Sequence, residues 1–464
     1  MPPLLLALSE GHHEVSTSVT LIFTALLVAL IVSLALEEKI HAKKSLIVGA
    51  YAIVTLFLGI VFEVIPGSVP VHIGGETLTL PIYIPSIDWG VIAIILGSSL
   101  FVDVTSKSGL FTWIAIKLTK ASSGDPRKLL WFYGLMTVVF SAVLNNVTAM
   151  IIVGSLTGVS LRKLGRAELL LGFLLVEGLL TNIGGLLTLI SSVPNIIVGT
   201  AAGISFVAFF VSAAPFVVVA TALTIWMGAK LFSIPTLATD EERKEALDQV
   251  ASFDENDGIE SEGFFKFATA MLVAFILVIA TTSVLPIISE LGMGYVALTF
   301  AALMLVRYKS SVDTYYKAVD WDLLGFFASL FVVIGVMEHA QVLAMIGKGL
   351  AVIIGWGDVA GTGAILVASA LASSVTDNIP LAAMLAKILG SLGTASDSPL
   401  WWSVVFGANL GGNLTPIGSA STLVAVTIMH KNELKVSFGG FVAKAVPYAA
   451  VQLLLAVAYV LLFL

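Results

Sequence analysis

Apolar residues run through this chain in blocks of about twenty, too long and too evenly hydrophobic for the one-sided stripe of a soluble helix. Such blocks occupy residues 17–36, 45–62, 204–228, 267–287 and 445–464, and about 20 apolar residues are what a helix needs to cross a hydrocarbon core. The pattern predicts an all-α polytopic membrane protein of about 10 transmembrane helices. Some stretches break the rhythm. Residues 129–144 and 147–161 are short apolar arms meeting at Asn145-Asn146, and 360–375 and 379–392 meet around Asp377-Asn378. Arms with a polar, turn-forming tip predict two re-entrant hairpins, 129–161 and 360–392. Irregular backbone at membrane depth is tolerated only where protein or a water-filled cavity receives it. The segments 169–198 and around Asn409 are instead cut by Thr181-Asn182-Ile183-Gly184-Gly185 and Asn409-Leu410-Gly411-Gly412, which predicts helices broken in mid-course.

These interruptions repeat. Asp88-Trp89 recurs as Asp320-Trp321, and Asn146 as Asn378, both offset by 232 residues; Asn182 to Thr188 recurs as Asn409 to Thr415, offset by 227. One five-residue gap reconciles the two offsets. Positive charge orients the halves, because short cytoplasmic loops carry the Lys/Arg excess. Basic clusters fall at Lys39/Lys43/Lys44, Lys117 to Lys128, Arg162/Lys163/Arg166, Lys230, Arg307/Lys309/Lys317 and Lys431/Lys435/Lys444, whereas the loops 66–86, 200–205, 283–293 and 393–400 carry none. With the basic loops inside, the first hairpin is entered from the cytoplasm and the second from outside, with both termini outside. The expected organisation is an inverted repeat over 1–233, an acidic cytoplasmic linker over 234–263, and a second inverted repeat over 264–464. Inverted repeats with interrupted helices are the architecture of alternating-access carriers, whose site lies near the midplane where the repeats meet. A channel with re-entrant loops is the competing reading.

Composition narrows this further. The chain is 58% hydrophobic and 11% charged, where a soluble domain carries roughly 25% charge, so a soluble enzyme is excluded. Without cysteine there is no disulfide, thiolate site or cysteine nucleophile. No Walker A loop is present, so ATP is not implied as a cofactor, and nothing points to nucleic acid. The net charge of −7 comes largely from residues 240–262, read as a solvated linker. Residues 1–8 are apolar but lack the basic start of a signal peptide. His12 and His13 adjoin near the terminus, where a metal site competes with simple terminal disorder.

Candidate chemistry gathers at the breaks. Half-helix ends leave N–H and C=O groups unpaired, and their dipoles attract anions and cations respectively. Amide and hydroxyl oxygens there suit a hard cation such as Na⁺: Asn145, Asn146, Thr148, Thr181, Asn182, Thr188, Asn378, Asn409, Asn413 and Thr415. Helix capping alone is the simpler role for some of them. Asp103, Glu177, Glu338 and Asp377 are carboxylates inside apolar segments, costly enough to imply function. Asp377, at a hairpin tip, is the leading candidate to exchange H⁺ for Na⁺, and Glu177 the second; Asp103 and Glu338 lie near segment ends. Lys348 and Lys387 reach the interface as snorkelling side chains, with Lys387 alternatively holding an anionic substrate. Residues 109–120 read as an amphipathic interfacial arm.

The motifs SAVLNNVTAMIIV, EGLLTNIGG, SSVTDNIPLAAML and GANLGGNLTPIGSAS resemble the ion transporter superfamily, in the branch of the melanosomal P protein, arsenite permeases and NhaD-type Na⁺/H⁺ antiporters. The resemblance spans nearly the whole chain and implies a homodimeric elevator-type carrier in the plasma (inner) membrane, taking a small ion or solute. It places cation-site residues at Asn146, Thr148, Asn182 and Thr188, and at Asp377, Asn378, Asn409 and Thr415. Na⁺ ligation centres on Asn146, Asn182, Asn378 and Asn409, and Glu177 matches the acidic residue before the family's TNIGG motif. Two features depart from it. The first hairpin reads Asn145-Asn146 where relatives carry Asp-Asn, and Ser191 to Asn195 stands where P-protein-like members have Gly-Asp-Pro-Pro-Asn. Two first-half carboxylates are therefore missing, which shifts any proton coupling to Asp377 and Glu177. The chemistry leaves two outcomes open: a Na⁺- or H⁺-coupled antiporter, or a carrier of a small anion or oxyanion such as a dicarboxylate, arsenite or silicate.

Overall fold

A computed structural model describes residues 15–464 apart from Gly74 and Asp377. The apolar segment 1–8, the pair His12 and His13, and Asp377 thus lie outside the described residues. Ten described helices are long and apolar enough to cross a membrane: Thr17–Ala35, Lys44–Val61, Trp89–Ser106, Ala167–Gly184, Phe206–Leu231, Glu262–Thr281, Pro286–Arg307, Trp321–His339, Asp358–Val375 and Phe438–Phe463. Their outward faces are apolar. Glu262–Thr281 has a mean hydropathy of 2.2 with only 17% of its window buried, and Val273 and Leu277 stand exposed on it. Such a surface is solvated by lipid rather than water. One of the ten, Asp358–Val375, is the first arm of the expected second hairpin. At 18 residues it is long enough to cross, and only its stop at Val375 and the restart at Asn378 mark it as an arm.

The chain forms two compact units, each drawing on both halves of the sequence. In the smaller, which ends at Trp89 and resumes over Asp320–Ala351, Lys44–Val61 packs against Trp321–His339. Ser45 hydrogen-bonds the Asp322 carboxylate at that seam. This unit also holds the one departure from an all-helical chain among the described residues. Strands Ser68–Ile73 and Glu76–Pro81 pair antiparallel, Ser68 opposite Pro81 and Ile73 opposite Glu76, inside the stretch read from sequence as a loop. A β-hairpin needs φ > 0 in its turn, and Gly75 supplies it at +88°.

The larger unit, Gly90–Val319 with Val352–Leu464, contains both hairpins and both broken helices. The first hairpin is Pro126–Val143 and Asn146–Lys163. Asp125 caps its first arm by accepting from Lys128 N at 3.0 Å, and Asn145 caps the second by accepting from Val147 N at 2.8 Å, which satisfies orphan helix donors. Leu170–Gly184 stops at the predicted interruption and the chain resumes as Val193–Ala202; Pro399–Gly411 stops likewise and resumes as Ala420–Lys431. The arms interlock across the repeat. Asn146–Lys163 packs against Ala420–Lys431, and Asn378–Ser391 against Val193–Ala202. The expected interfacial arm is the helix Leu110–Ala121, which buries Leu110, Phe111, Ala115, Ile116 and Thr119. Gly109 before it has φ +82°, and Gln341, 232 residues later, has φ +62° before Val342–Ile354.

The acidic stretch is mostly exposed, but it is folded. Asp240–Ala251 is a helix closed by a Thr239/Glu242 capping box, and Ala246, Val250 and Phe253 are buried. Glu255 bridges Lys117 and Lys120, Lys163 donates to Ser252 O at 2.9 Å and lies over the Phe253 ring, and Leu237 N donates to Asp125 Oδ2 at 3.0 Å. Three apolar residues at helical spacing and a basic partner surface turn the linker into a docked strap, with its acidic outer face left to water.

A polar network at two helix breaks

Each break is pinned to the hairpin of its own half by the same two bonds. Ser141 Oγ donates to Thr181 O at 2.6 Å, and Ser373 Oγ to Ala408 O at 2.6 Å. Thr188 Oγ1 donates to Ala142 O at 2.5 Å, and Thr415 Oγ1 to Ser374 O at 2.5 Å. Donors and acceptors stand at the sequence offsets of 232 and 227. Glycine permits the close approach: a Cβ on Gly184 would meet Val138 O at 2.7 Å, and one on Gly411 would strike Ala370 O. The carbonyls that the broken helix leaves open are met in matching ways. Asn195 Nδ2 donates to Gly185 O and Thr188 O at 2.6 and 3.0 Å. Thr422 Oγ1, 227 residues later, lies 3.3 and 3.5 Å from Gly412 O and Thr415 O.

The breaks are then joined to each other by crossed pairs. Asn182 Nδ2 donates to Ser419 Oγ at 3.0 Å, and Ser192 Oγ donates to Asn409 Oδ1 at 2.8 Å. Asn409 Nδ2 also reaches Asn195 Oδ1 at 2.9 Å. A second line of amides runs through the first break. Gln452 Nε2 donates to Thr224 Oγ1 at 2.9 Å, Asn413 Nδ2 to Gln452 Oε1 at 2.8 Å, and Asn182 Nδ2 to Asn413 Oδ1 at 2.8 Å. Asn146 Nδ2 closes on Asn182 Oδ1 at 3.5 Å, and Ser141 and Ser421 donate to Asn146 Oδ1 and Asn182 Oδ1. Asn182, Asn195, Asn409 and Asn413 are fully buried, where an unpaired amide would cost about 1–3 kcal/mol. Among the described residues no lysine, arginine or histidine side chain donates to these amides. The cluster is a neutral, oxygen-rich lining at four helix ends.

The predicted residues thus divide. Asn146, Asn182 and Asn413 meet in one network, and Asn409 pairs with Ser192 and Asn195 in a second, with Thr188 and Thr415 pinning the breaks to the hairpins. Asn378 opens its helix nearly buried, and Thr148 lies half-buried in the first turn of the first hairpin's second arm. Asn145 serves as a cap, and Thr181 Oγ1 bonds back to Gly178 O. Glu177 stands apart, fully buried, with Oε1 accepting from Thr157 Oγ1 at 2.6 Å. Asp103 is half-buried, while Glu338, Lys348 and Lys387 are exposed. The sequence reading missed Ser192, Ser419, Asn195, Thr422, Gln452 and Thr224. Ser192 and Ser419 stand 227 apart, as do Asn195 and Thr422, so the repeat itself carried the signal. Gln452 is the lone amide of the helix Phe438–Phe463.

Comparison with known proteins agrees with this architecture. The citrate transporter family (CitMHS: Citrate transporter) matches residues 50–407. An uncharacterized transporter of Mycobacterium tuberculosis is 31% identical over 378 residues, covering 80% of this chain and 86% of its own length. The human P protein is 25% identical over 517 residues, which is 92% of this chain but 60% of that protein. Among solved structures, the YdaH transporter of Alcanivorax borkumensis superposes with a TM-score of 0.60 at 16% identity, over 91% of this chain and 98% of its own. MtrF of Neisseria gonorrhoeae, described among antimetabolite efflux pumps, reaches 0.58 at 14% identity, over 91% and 95%. The likeness to the two structures extends to fold. A multi-pass helical chain with this match over most of its length belongs to the citrate transporter family and is a secondary transporter of the membrane.

Proposed function

We propose that this chain couples transport to Na⁺ and/or H⁺, with cation/proton antiport as its simplest form. The observation that carries the reading is the crossed pairing of Asn182 with Ser419 and Ser192 with Asn409. It gathers neutral oxygens at buried half-helix ends of both breaks. Carbonyl-side helix ends and amide oxygens stabilise a bare cation. Asn146, Asn182, Asn378 and Asn409 are the proposed Na⁺ ligands, and Asp377, next to Asn378 in the sequence, is the proposed coupling carboxylate. On this reading 1–233 and 264–464 are inverted repeats, the hairpins and breaks carry the ion across by an elevator motion, and the protein is a homodimer of the plasma (inner) membrane with both termini outside.

The test is reconstitution in liposomes enclosing a pH-sensitive dye. A NaCl gradient should move protons where choline chloride does not, and Asp377→Asn should abolish the movement. No Na⁺ response in the wild type would sink the reading.

A second reading, a Na⁺- or H⁺-coupled carrier of a small carboxylate anion, is favoured by the family's description as citrate transporters. Helix N-termini at Asn146, Val193, Asn378 and Ala420 offer anion-binding N–H groups. Radiolabelled uptake across a panel of citrate, dicarboxylates, arsenite and silicate separates the two readings.

A further inference from the structure

Glu177 is a buried carboxyl group that the amide network leaves unused. Its side chain is fully buried. Oε1 accepts from Thr157 Oγ1 at 2.6 Å, while Oε2 is buried with no hydrogen-bond partner, and no described Lys, Arg or His pairs with it. A carboxylate sealed from water with an orphaned oxygen is stable only when that oxygen holds a proton or faces a cation.

Its surroundings supply no fixed counter-charge. The helix Leu170–Gly184 packs against Pro126–Val143, Asn146–Lys163, Phe206–Leu231, Pro399–Gly411, Ala420–Lys431 and the turn Ala167–Leu169. Of the titratable groups on these elements, only Tyr133 lies within a packed helix body, and its hydroxyl is engaged by Ser160 at 2.7 Å and Thr119 at 2.8 Å. Arg127, Lys128, Arg162, Lys163, Glu168, Lys230, His430 and Lys431 all sit in terminal turns. The group with mobile charge nearest along the chain is the cation proposed at Asn182. Five residues separate Glu177 from Asn182, about 7.5 Å along the helix axis at 1.5 Å per residue. Five residues also turn the helix by about 140°, and the two side chains bond different partners, Thr157 and Asn413. One small ion therefore does not bridge them, yet two charges at that spacing still sense each other.

We infer that Glu177 carries the exchanged proton at a place separate from the cation cluster, so that cation and proton compete through space rather than for one atom. This rests on the cation-coupled reading above. With the cluster empty, Oε2 holds a proton as a neutral O–H. A cation entering at Asn182 favours the carboxylate, and the O–H bond breaks with its electron pair left on Oε2 and the proton leaving to bulk water as transport opens the site. Thr157, on the second arm of the hairpin, holds the carboxyl orientation through both states.

The experiment is proton release from purified, weakly buffered protein on addition of NaCl, with choline chloride as control, alongside thermal stabilisation by Na⁺. Wild type should release protons and be stabilised by Na⁺, because a ligand that binds only the folded state raises its stability. Glu177→Gln, which keeps the shape and the bond from Thr157, should still be stabilised by Na⁺ but lose the proton release; Glu177→Asp should retain it. Undiminished release from Glu177→Gln overturns the inference while leaving cation coupling intact. Absence of any Na⁺ effect on the wild type overturns the coupling reading itself, so the two failures are distinguishable.

Discussion

Asn182 of the first break donates to Ser419 of the second at 3.0 Å, while Asn409 of the second accepts from Ser192 of the first at 2.8 Å. Each half thus completes the other's interruption. Breaking one cross-pair should therefore be felt in both. Asn182→Ala orphans several buried partners, and each costs about 1–3 kcal/mol. Thermal unfolding in detergent should show that loss. A double-mutant cycle of Asn182→Ala with Ser419→Ala should give a coupling of about 0.5–3 kcal/mol; strict additivity would mean that the crossed pair does not act as a unit.

Gln452 holds the amide line in place from outside the break, accepting from Asn413 and donating to Thr224. Gln452→Leu should destabilise by about 1–3 kcal/mol and weaken Na⁺ stabilisation, because Asn413 loses the partner that fixes its orientation. Adding Thr224→Val removes the stranded hydroxyl and should recover part of the stability but not the Na⁺ response. Differential scanning fluorimetry with and without NaCl reads both effects.

The glycines at the breaks are packed against backbone, whereas some glycines elsewhere face open space. Gly411→Ala places a methyl against Ala370 O, and Gly184→Ala places one 2.7 Å from Val138 O. Overpacking of this kind costs about 1–3 kcal/mol. Gly349 has nothing within 4 Å of where its Cβ would stand, so Gly349→Ala should be neutral or slightly stabilising in the same melt.

The acidic strap should release in acid. Hydrogen bonds from Lys117 and Lys120 and their positive charge lower the Glu255 carboxyl from 4.5 to about 2. A depressed carboxylate pKa contributes stability that is present above the unfolded value and lost as pH falls through the folded one. Docking should thus weaken between about pH 4.5 and 2. Pepsin should cut the linker faster across that window in the wild type, and Glu255→Gln should already be cut faster at its upper edge. High salt should mimic the effect by screening the exposed pairs. Cleavage indifferent to both changes would show that the buried Ala246, Val250 and Phe253 alone hold the strap.

Much of this was legible in the chain because a membrane makes sequence literal. Backbone groups in lipid must bond internally, so apolar length alone marks spans such as Phe206–Leu231, and any polar interruption must have a structural reason. The repeat located Asn182 and Asn409, and the same offset contained Ser192 and Ser419 without singling them out, since serine is unremarkable at a helix restart. The strap's helix and docking were not legible because charge dominates its composition, while Ala246, Val250 and Phe253 form a stripe too sparse to stand out.

The sequence by itself determined the spans, the hairpins, the breaks and their pairing at 232 and 227, because these follow from hydrophobic length and local backbone chemistry. Only the tertiary structure decided which amide meets which. That Asn182 bonds Ser419 rather than its own Ser192, that Gln452 reaches Asn413 from 39 residues away, and that Glu177 is sealed beside Thr157 rather than joined to the network depend on how helices cross. Crossing is set by packing at places such as Gly184 and Gly411, where the missing side chain lets two backbones approach.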